Sequence, residues 1–574
     1  MLLYLAAIAY LPSPAHLSPR ASVGFHRAAA IRLSDETPPE DWRELRARLV
    51  AKERAEDMAA VGDDDEPGTG YVYESPLIEQ GSVILGGTLQ DFGFALRQQY
   101  FHKSVMLLLQ HDEGFTKGII LNRPSAYEVD GWRVWFGGDV AEGAMFRGAD
   151  DAKGEREIIA LHALNTTLAT RLSMPVIKGV SYTTLEGAQA LVEEGEASKS
   201  DFWVFVGYAG WAPQQLEGEV ERDSWFLASA DSGTLLKELL RQGTDLPPPS
   251  SGVLPGDGLA TWEKLMESIG RVDQVESSRG SLADRMLSEW CRVRLVPPAL
   301  KSADEPSGEA DVAGSTIVEV GTVLRSGEPA SRFVLSDQFL HKALLLVVHE
   351  LPDGTAVCVV LNRPTANLVQ LHSDGEPRRC VSFGGDGRLR GSGLGIDANG
   401  LMWLCQRPTL QNLALATMGT PIGASGVQRV PALEAAEQIK DGVMKLDDFL
   451  LVSGLVCFEP DELREMLANG ELHTVPRPAS LWPRVWDLAD AKSVEDDVYS
   501  EGGALLSDGT GVWWAAAQLD DSGRDEDEQD GDTEKDSLDA LLSGLQSMPP
   551  AHIADEALDD WLKFFAGHRG RDLL

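Results

Sequence analysis

The chain has 574 residues, room for two to four domains at roughly 150 residues each, and its 43% apolar and 7% aromatic content fits globular material with some disordered length. Ninety acidic against fifty basic residues give a formal charge of −40, a field that repels phosphate backbones and argues against nucleic-acid binding. No apolar run reaches the roughly eighteen residues of a membrane span, and Cys291, Cys358, Cys380, Cys405 and Cys457 form no C-x-x-C pair, so neither a membrane span, a zinc site nor a disulfide framework is expected.

Residues 1–34 contain no Asp or Glu and read as a targeting presequence. A short apolar run, Leu2 to Leu11, precedes a basic, Ser/Ala-rich stretch around Arg20, Arg27 and Arg32. Signal-like followed by transit-like chemistry is the order of a bipartite plastid presequence, with mitochondrial import as the alternative. Residues 35–80 read as an amphipathic helix and an acidic linker. Trp42, Leu45 and Leu49 have helical spacing, which predicts a helix over 41–60 docked on the outside of a domain or offered to a partner, and Asp63 to Gly68 ends it.

Internal repetition then dominates the chain. The block from Gln99 to Leu109, with Phe101-His102-Lys103, recurs from Gln338 to Val348, with Leu340-His341-Lys342. Leu121-Asn122-Arg123-Pro124 recurs as Leu361-Asn362-Arg363-Pro364, Phe136-Gly137-Gly138-Asp139 as Phe383-Gly384-Gly385-Asp386, and Asp201-Phe202 to Gly207 as Asp448-Phe449 to Gly454. The offset drifts from 239 (102 to 341) through 240 (122 to 362) to 247 (136 to 383), as small loop insertions produce. Copies are therefore expected over 81–296 and 316–574, joined by a polar linker over 297–315, with Pro247 to Gly252 as a loop inside the first. The spacing of Trp262, Leu265, Met266 and Ile269 matches Leu538, Leu541, Leu542 and Leu545, an offset of 276 that also sets Asp284 against Asp560. That jump implies an insertion over about 485–535, expected to be disordered because ten of the seventeen residues 520–536 are acidic. Trp513-Trp514 beside it is a recognition segment or local packing.

Val105–Leu109, Ala343–Val348, Ile119–Leu121, Val357–Leu361, Trp203–Val206 and Leu450–Val452 are apolar runs of strand length, expected in sheets covered on both faces. Leu185–Glu194, Pro213–Arg222 and Asp461–Asn469 read as helices, with Pro213 and Pro460 in first turns. The class is α+β.

Candidate site residues follow from side-chain chemistry. His102 and His341, before buried strands, are acid/base candidates or satisfied strand-end histidines. His111-Asp112 and His349-Glu350 are nearly aligned His–carboxylate pairs. Asn122-Arg123-Pro124 and Asn362-Arg363-Pro364 end strands reproducibly, with Arg123 and Arg363 as possible anion clamps. Gly137-Gly138 and Gly384-Gly385 allow close backbone passage. The turn Gly207-Tyr208-Ala209-Gly210-Trp211, followed by Gln215 and Glu217, is the pocket candidate, with aromatic walls beside a helix N-terminus. No metal is expected, because no H-E-x-x-H spacing occurs, and no cofactor, because neither glycine-rich nucleotide motif occurs.

In Gly81-Ser82-Val83-Ile84, Phe101 to Val105, His111-Asp112, Asn122-Arg123-Pro124, Gly137-Gly138, Gly207 to Trp211, Gln215 to Glu219 and Trp225, taken in this order, the first copy resembles the AlgH/YqgE family of bacterial proteins and their plastid-bearing relatives. The second copy departs from it at Gly454-Leu455-Val456-Cys457-Phe458 and Glu462-Leu463-Arg464. The resemblance implies a mixed, partly barrel-like sheet flanked by helices and no established activity. The expected function is a non-catalytic binding or regulatory module taking a protein partner or a small anionic ligand. The alternatives are an enzyme using His102 or His111 with Arg123 on a small anionic substrate, or an assembly scaffold.

Overall fold

The computed structural model describes residues 42–58, 70–88, 96–138, 157–244, 256–297, 318–327, 330–370, 378–387, 394–406, 419–490, 509–521 and 553–565. They fall into two compact units, one within 18–307 and one within 308–574. The presequence 1–34, the loop 247–252, the linker residues 302–314, residues 538–545 and most of the acidic run lie outside the described residues.

In the first unit the strands are β1 (Val72–Glu74), β2 (Val83–Gly86), β3 (Val105–His111), β4 (Thr116–Ile120), β5 (Pro124–Val129), β6 (Trp132–Phe136), β7 (Ile158–His162), β8 (Met174–Ile177), β9 (Val180–Thr184), β10 (Phe202–Val206), β11 (Ala209–Trp211) and β12 (Trp225–Ala230). They form two open sheets, β1-β12-β2-β3-β4-β11 and β5-β6-β10-β7-β9-β8. Among the described strands of this unit only β6 and β10 pair in parallel. Val105 to Leu109 are buried without a break, as a strand covered on both faces requires. One core takes Val83 and Leu85 from β2, Leu107 from β3, Trp135 and Phe205 from the second sheet, and Trp262, Leu265 and Met266 from the Leu259–Ser268 helix.

The second unit contains β13 (Val323–Ser326), β14 (Leu344–Glu350), β15 (Ala356–Val360), β16 (Pro364–Gln370), β17 (Arg378–Phe383), β18 (Leu401–Gln406), β19 (Thr420–Pro421), β20 (Val427–Val430), β21 (Phe449–Ser453), β22 (Val456–Phe458) and β23 (Leu472–Thr474). Its sheets are β22-β15-β14-β13-β23 and β16-β17-β21-β18-β20-β19, with β17 and β21 parallel. Register shifts fall at the same places in both units, between Leu108 and Gln110 and between Val347 and His349 on the first sheet. On the second sheet they fall between Pro124 and Glu128 and between Pro364 and Leu368.

The class is α+β, but no sheet closes into a barrel. The chain leaves the first sheet for the second at residues 121–123 and returns at 207–208, so two open sheets face a shared core.

Three local expectations change. The helix after β11 is Gln215–Glu221 and excludes Pro213, because Gln214 takes a left-handed φ of 66° at its start. The Trp42–Met58 helix docks on the first unit through polar residues: Arg46 bonds Tyr73 and Glu79, while Trp42 is 63% and Leu49 40% exposed. The Thr510–Asp521 helix lies inside the stretch assigned to an insertion. There Trp513 is buried and donates to the Ser326 carbonyl at 2.7 Å, as Trp262 does to that of Gly86 at 2.9 Å. Trp513, not Leu538, thus stands in the place of Trp262. Apolar i, i+3, i+4 spacing repeats with every turn and cannot fix register, whereas an indole hydrogen bond to one carbonyl does.

Candidate functional site

The crossing from β4 to β5 is built on Asn122 and Arg123, both fully buried. Asn122 Oδ1 accepts from the Val105 N–H at 2.8 Å, and its Nδ2 donates to the carbonyls of Lys103 at 3.0 Å and Gly258 at 2.9 Å. Asn362 does the same with Leu344 at 2.8 Å, Lys342 at 3.0 Å and Gly509 at 2.9 Å. Gly258 and Gly509 must be glycine, because each has φ above 70° and a Cβ on either would overlap the asparagine carbonyl. Arg123 donates to the carbonyls of Asn122 at 2.9 Å, Asp257 at 3.1 Å and His102. Arg363 donates to those of Asn362 at 3.0 Å, Phe339 at 3.2 Å and His341. Burial pushes the Arg123 guanidinium down to about 10, so it is still a cation at neutral pH. These guanidiniums tie backbone carbonyls together in the interior and face no substrate.

Immediately before β3, Lys103 adopts φ 48°, and Lys342 adopts 52° before β14. This turn aims His102 and Lys103 at one carboxylate from the Leu282–Arg294 helix: Asp284 lies 2.7 Å from His102 Nε2 and 2.8 Å from Lys103 Nζ. Asp284 also accepts the Gly280 N–H at 2.8 Å, while the Ser281 hydroxyl accepts the Asp284 N–H at 3.2 Å, so Ser281 caps the helix and the Asp284 carboxylate ties down the turn before it. Burial alone would raise the Asp284 carboxyl, but His102 and Lys103 outweigh it and bring it to about 2. Burial holds the His102 imidazole below its usual range despite the Asp284 bond. The result is a neutral imidazole donating through Nε2, with Nδ1 unpartnered among the described residues.

The second unit repeats the cluster through Asp555, 2.7 Å from His341 Nε2 and 2.5 Å from Lys342 Nζ, and its carboxyl is held well below the carboxylate range. Asp555, not Asp560, therefore matches Asp284. Trp561 packs on Phe339 and Phe383 as Trp290 packs on Tyr100 and Phe136.

His111 sits at the far end of β3, about 20 Å from Val105 at roughly 3.3 Å per residue, with Nδ1 2.8 Å from the Thr116 hydroxyl. The two histidines cannot share a site. His349 stands opposite Val357 as Gln110 stands opposite Lys117, so the His–carboxylate pairs are not equivalent.

The edge strand β11 pairs with β4, Gly210 opposite Lys117. Lys117 Nζ lies 4.4 Å from the centre of the half-buried Tyr208 ring, which meets Phe115 edge-on at 6.5 Å, and Lys117 also pairs with Glu157. Gly137 and Gly138 run against Gly207 and Tyr208 so closely that a Cβ on either would overlap backbone atoms. Trp211 is buried, and its Nε1 donates to Glu219 at 2.9 Å; Trp225 Nε1 donates to the same oxygen at 2.8 Å, and Gln215 Nε2 to the other at 3.0 Å. Glu219, not Glu217, organises this end, and Glu217 makes no ion pair or hydrogen bond among the described residues. In the second unit Phe458, Met466 and Leu472 replace Trp211, Glu219 and Trp225, and all three are buried.

Among the described residues no three His, Cys, Asp or Glu side chains are grouped to hold a metal ion, and no helix is long and apolar enough to cross a membrane. Four of the cysteines are buried and Cys457 is exposed; all five are free thiols, with Cys291 pushed by burial up to about 12.

A family model described as AlgH-like matches residues 93–244. A UPF0301 protein of Mycobacteroides abscessus is 32% identical over 182 residues, covering 30% of this chain and 81% of that protein. One of Chlorobaculum tepidum is 31% identical over 161 residues, 28% of this chain and 79% of that protein. The solution structure of the AlgH protein from Pseudomonas aeruginosa aligns with a TM-score of 0.21 at 20% identity, over 30% of this chain and 85% of that one. With a relative matched at this identity over four fifths of its length, the chain belongs to the AlgH-like, UPF0301 family.

Proposed function

We propose that this chain is a non-catalytic binding or regulatory protein built from two copies of one AlgH-like unit and imported into a plastid. One observation carries the functional reading: the polar groups common to both units are spent on the interior. His102, Lys103, Asn122 and Arg123, like their counterparts His341, Lys342, Asn362 and Arg363, bond one another's neighbours, a carboxylate from the first turn of a helix and backbone carbonyls. Acid–base chemistry requires such groups to converge on a substrate. The differences between the units gather instead at the β11 and β22 edges, where Phe115, Lys117, Tyr208 and Gly210 of the first unit correspond to Thr355, Val357, Leu455 and Cys457 of the second. Recognition by the first unit then runs through Tyr208 and Phe115, and the ligand is a protein partner or a small anion attracted by Lys117.

The shared seam, register shifts and His–Lys–Asp clusters support descent of both units from one. Affinity capture from plastid extract tests the binding reading. A partner retained by the parent chain and lost with Tyr208→Ala, but kept with Leu455→Ala, supports it. Turnover of a small anionic substrate that disappears with His111→Gln refutes it. Residues 1–34 fused to a fluorescent protein test import directly.

A further inference from the structure

The first sheet of the first unit ends in β11, which pairs with β4 on one side only. Backbone alternation fixes what the other side offers. The Leu121 N–H bonds the Val105 carbonyl on β3, and the Ile120 N–H bonds the Gly137 carbonyl, so Ile120, Gly118 and Thr116 turn their backbone groups away from β3. Gly118 and Thr116 stand opposite Ala209 and Trp211, which take the ladder bonds. Tyr208 and Gly210 therefore turn their N–H and C=O groups outward, and neither makes a backbone hydrogen bond there among the described residues.

The second unit shows how such an edge is completed. Its edge strand β22 has the same register, Val456 opposite Cys358. Leu455, in the place of Tyr208, accepts from the Gly387 N–H at 2.8 Å and donates to the Gly387 carbonyl at 3.1 Å, an antiparallel bridge. The cover is backbone, and the first unit presents the same groups open. Side chains narrow the choice of cover. Ala209 and Trp211 are buried, whereas Tyr208 and Gly210 share the solvent face with Lys117 and with Phe115, whose ring tip lies over Gly210. Residues 112–120 and 207–222 carry Asp112, Glu113, Glu217, Glu219 and Glu221 against Lys117 and Arg222. Lys117 is already paired with Glu157 and laid on the Tyr208 ring, so the edge is acidic.

We propose that an extended, basic segment of a partner protein adds to β11 as a further strand. Its backbone bonds the outward groups of Tyr208 and Gly210, and every second side chain, Lys or Arg, lies on the Tyr208 and Phe115 rings among the carboxylates. Main-chain bonds give the affinity; the charge of the edge selects a basic strand over an acidic one. This inference rests on the binding reading of the same edge and specifies its protein partner.

The test is calorimetric titration of the full chain with the peptide acetyl-Lys-Val-Lys-Val-Lys-Val-Lys-amide. The controls are the same peptide with Glu for Lys and one with methylated backbone nitrogens, and millisecond hydrogen exchange locates the site. The expected result is saturable binding of the first peptide alone, with about two further amides protected within 207–211. Gly210→Pro removes an outward N–H and no ladder bond, and should weaken binding about tenfold, with exchange elsewhere in the first unit unchanged. The pair Glu113→Lys, Glu217→Lys, at side chains without an ion pair among the described residues, should weaken it about threefold at low salt and decides alone if the proline variant fails to fold. No saturable binding, equal binding of a control peptide, protection elsewhere, or undiminished affinity in the variants overturns the proposal. So does protection of these amides in the free chain, the mark of an edge covered by this chain itself or by a second copy. Partner capture that depends on Tyr208 is read separately, so a failed strand addition leaves the binding reading standing.

Discussion

Replacing Asp284 by Asn separates a structural salt bridge from a decorative one. The substitution keeps the shape of the side chain and removes its charge. The Asp284 side chain is 9% exposed, that of Lys103 0% and that of His102 2%. After the change the Lys103 ammonium keeps the Ser278 carbonyl at 3.0 Å, the Trp262 ring at 5.1 Å and a neutral amide oxygen, but loses its counter-charge. Breaking a buried pair from one side costs about 3–5 kcal/mol, because the remaining charge stays desolvated. Asp555→Asn makes the same change where the carboxylate is 30% and Lys342 12% exposed, so water replaces part of what is lost and the cost falls to about 1–3 kcal/mol. Because two units need not unfold in one step, the measurement is hydrogen exchange followed peptide by peptide under increasing urea. Asp284→Asn should raise exchange throughout the first unit and leave the second unchanged. Adding Lys103→Met should restore a large part of the loss by removing the orphaned charge. An Asp284→Asn variant within about 1 kcal/mol of the parent, or no gain from Lys103→Met, refutes the assignment of this cluster as the clamp on the Leu282–Arg294 helix.

Three further outcomes are expected. Glu219→Ala deprives two indole N–H groups of their acceptor and costs about 2 kcal/mol in urea unfolding of the first unit, whereas the triple change Trp211→Phe, Glu219→Met, Trp225→Leu, which copies the second unit, costs less than the sum of its parts. Gly138→Ala drives a methyl group into the Tyr208 backbone and costs more than about 3 kcal/mol, while Gly218→Ala, within the Gln215–Glu221 helix and near only the flexible Arg222 side chain, gains about 0.5–1 kcal/mol; thermal unfolding distinguishes them. Stability should depend on pH with opposite signs at the His–Lys–Asp clusters, which both units carry, and at Asp337 of the second unit. His102 and Asp284 are both depressed, so their contributions are present at neutral pH and are lost as pH falls, first below the ordinary histidine range and then toward about 2. Asp337 is raised by burial, with Asp386 and Glu462 adding to it against Arg332, to about 6, so its contribution is lost as pH rises through 6. Asp337→Asn should therefore slow exchange in the second unit at pH about 7.5 and make no difference near pH 4.

The strands were legible because Val105–Leu109 and Ala343–Val348 are unbroken apolar runs, and a run buried on both faces has no competing assignment at that length. The seam was legible as a strand end from Asn122-Arg123-Pro124, but not as an interior bond network, because the carbonyls it binds come from Gly258 and Asp257, more than a hundred residues on. Asp284 went unnoticed as a partner of His102 although Ser281-x-x-Asp284 before an apolar run is a helix-start signal. The helix start was visible; what Asp284 reaches across 182 residues was not. Glu219 carried a usable sign: Trp211, Glu219 and Trp225 change together to Phe458, Met466 and Leu472 at one offset of 247, as a polar trio replaced by an apolar one must. The outward stripe of the Trp42–Met58 helix misled, because salt bridges from Arg43 and Arg46 chose the docking face.

The clamp also sets an order of events during synthesis. His102 and Lys103 leave the ribosome long before Asp284 does, and His341 precedes Asp555 by 214 residues. Until its last helix is made, each unit holds a lysine at the threshold of its interior with no counter-charge, so burying that turn early is unfavourable. The nascent sheet is thus held open until the carboxylate arrives, which favours late, cooperative closure over premature collapse, at the cost of a long exposure of strand edges to chaperones.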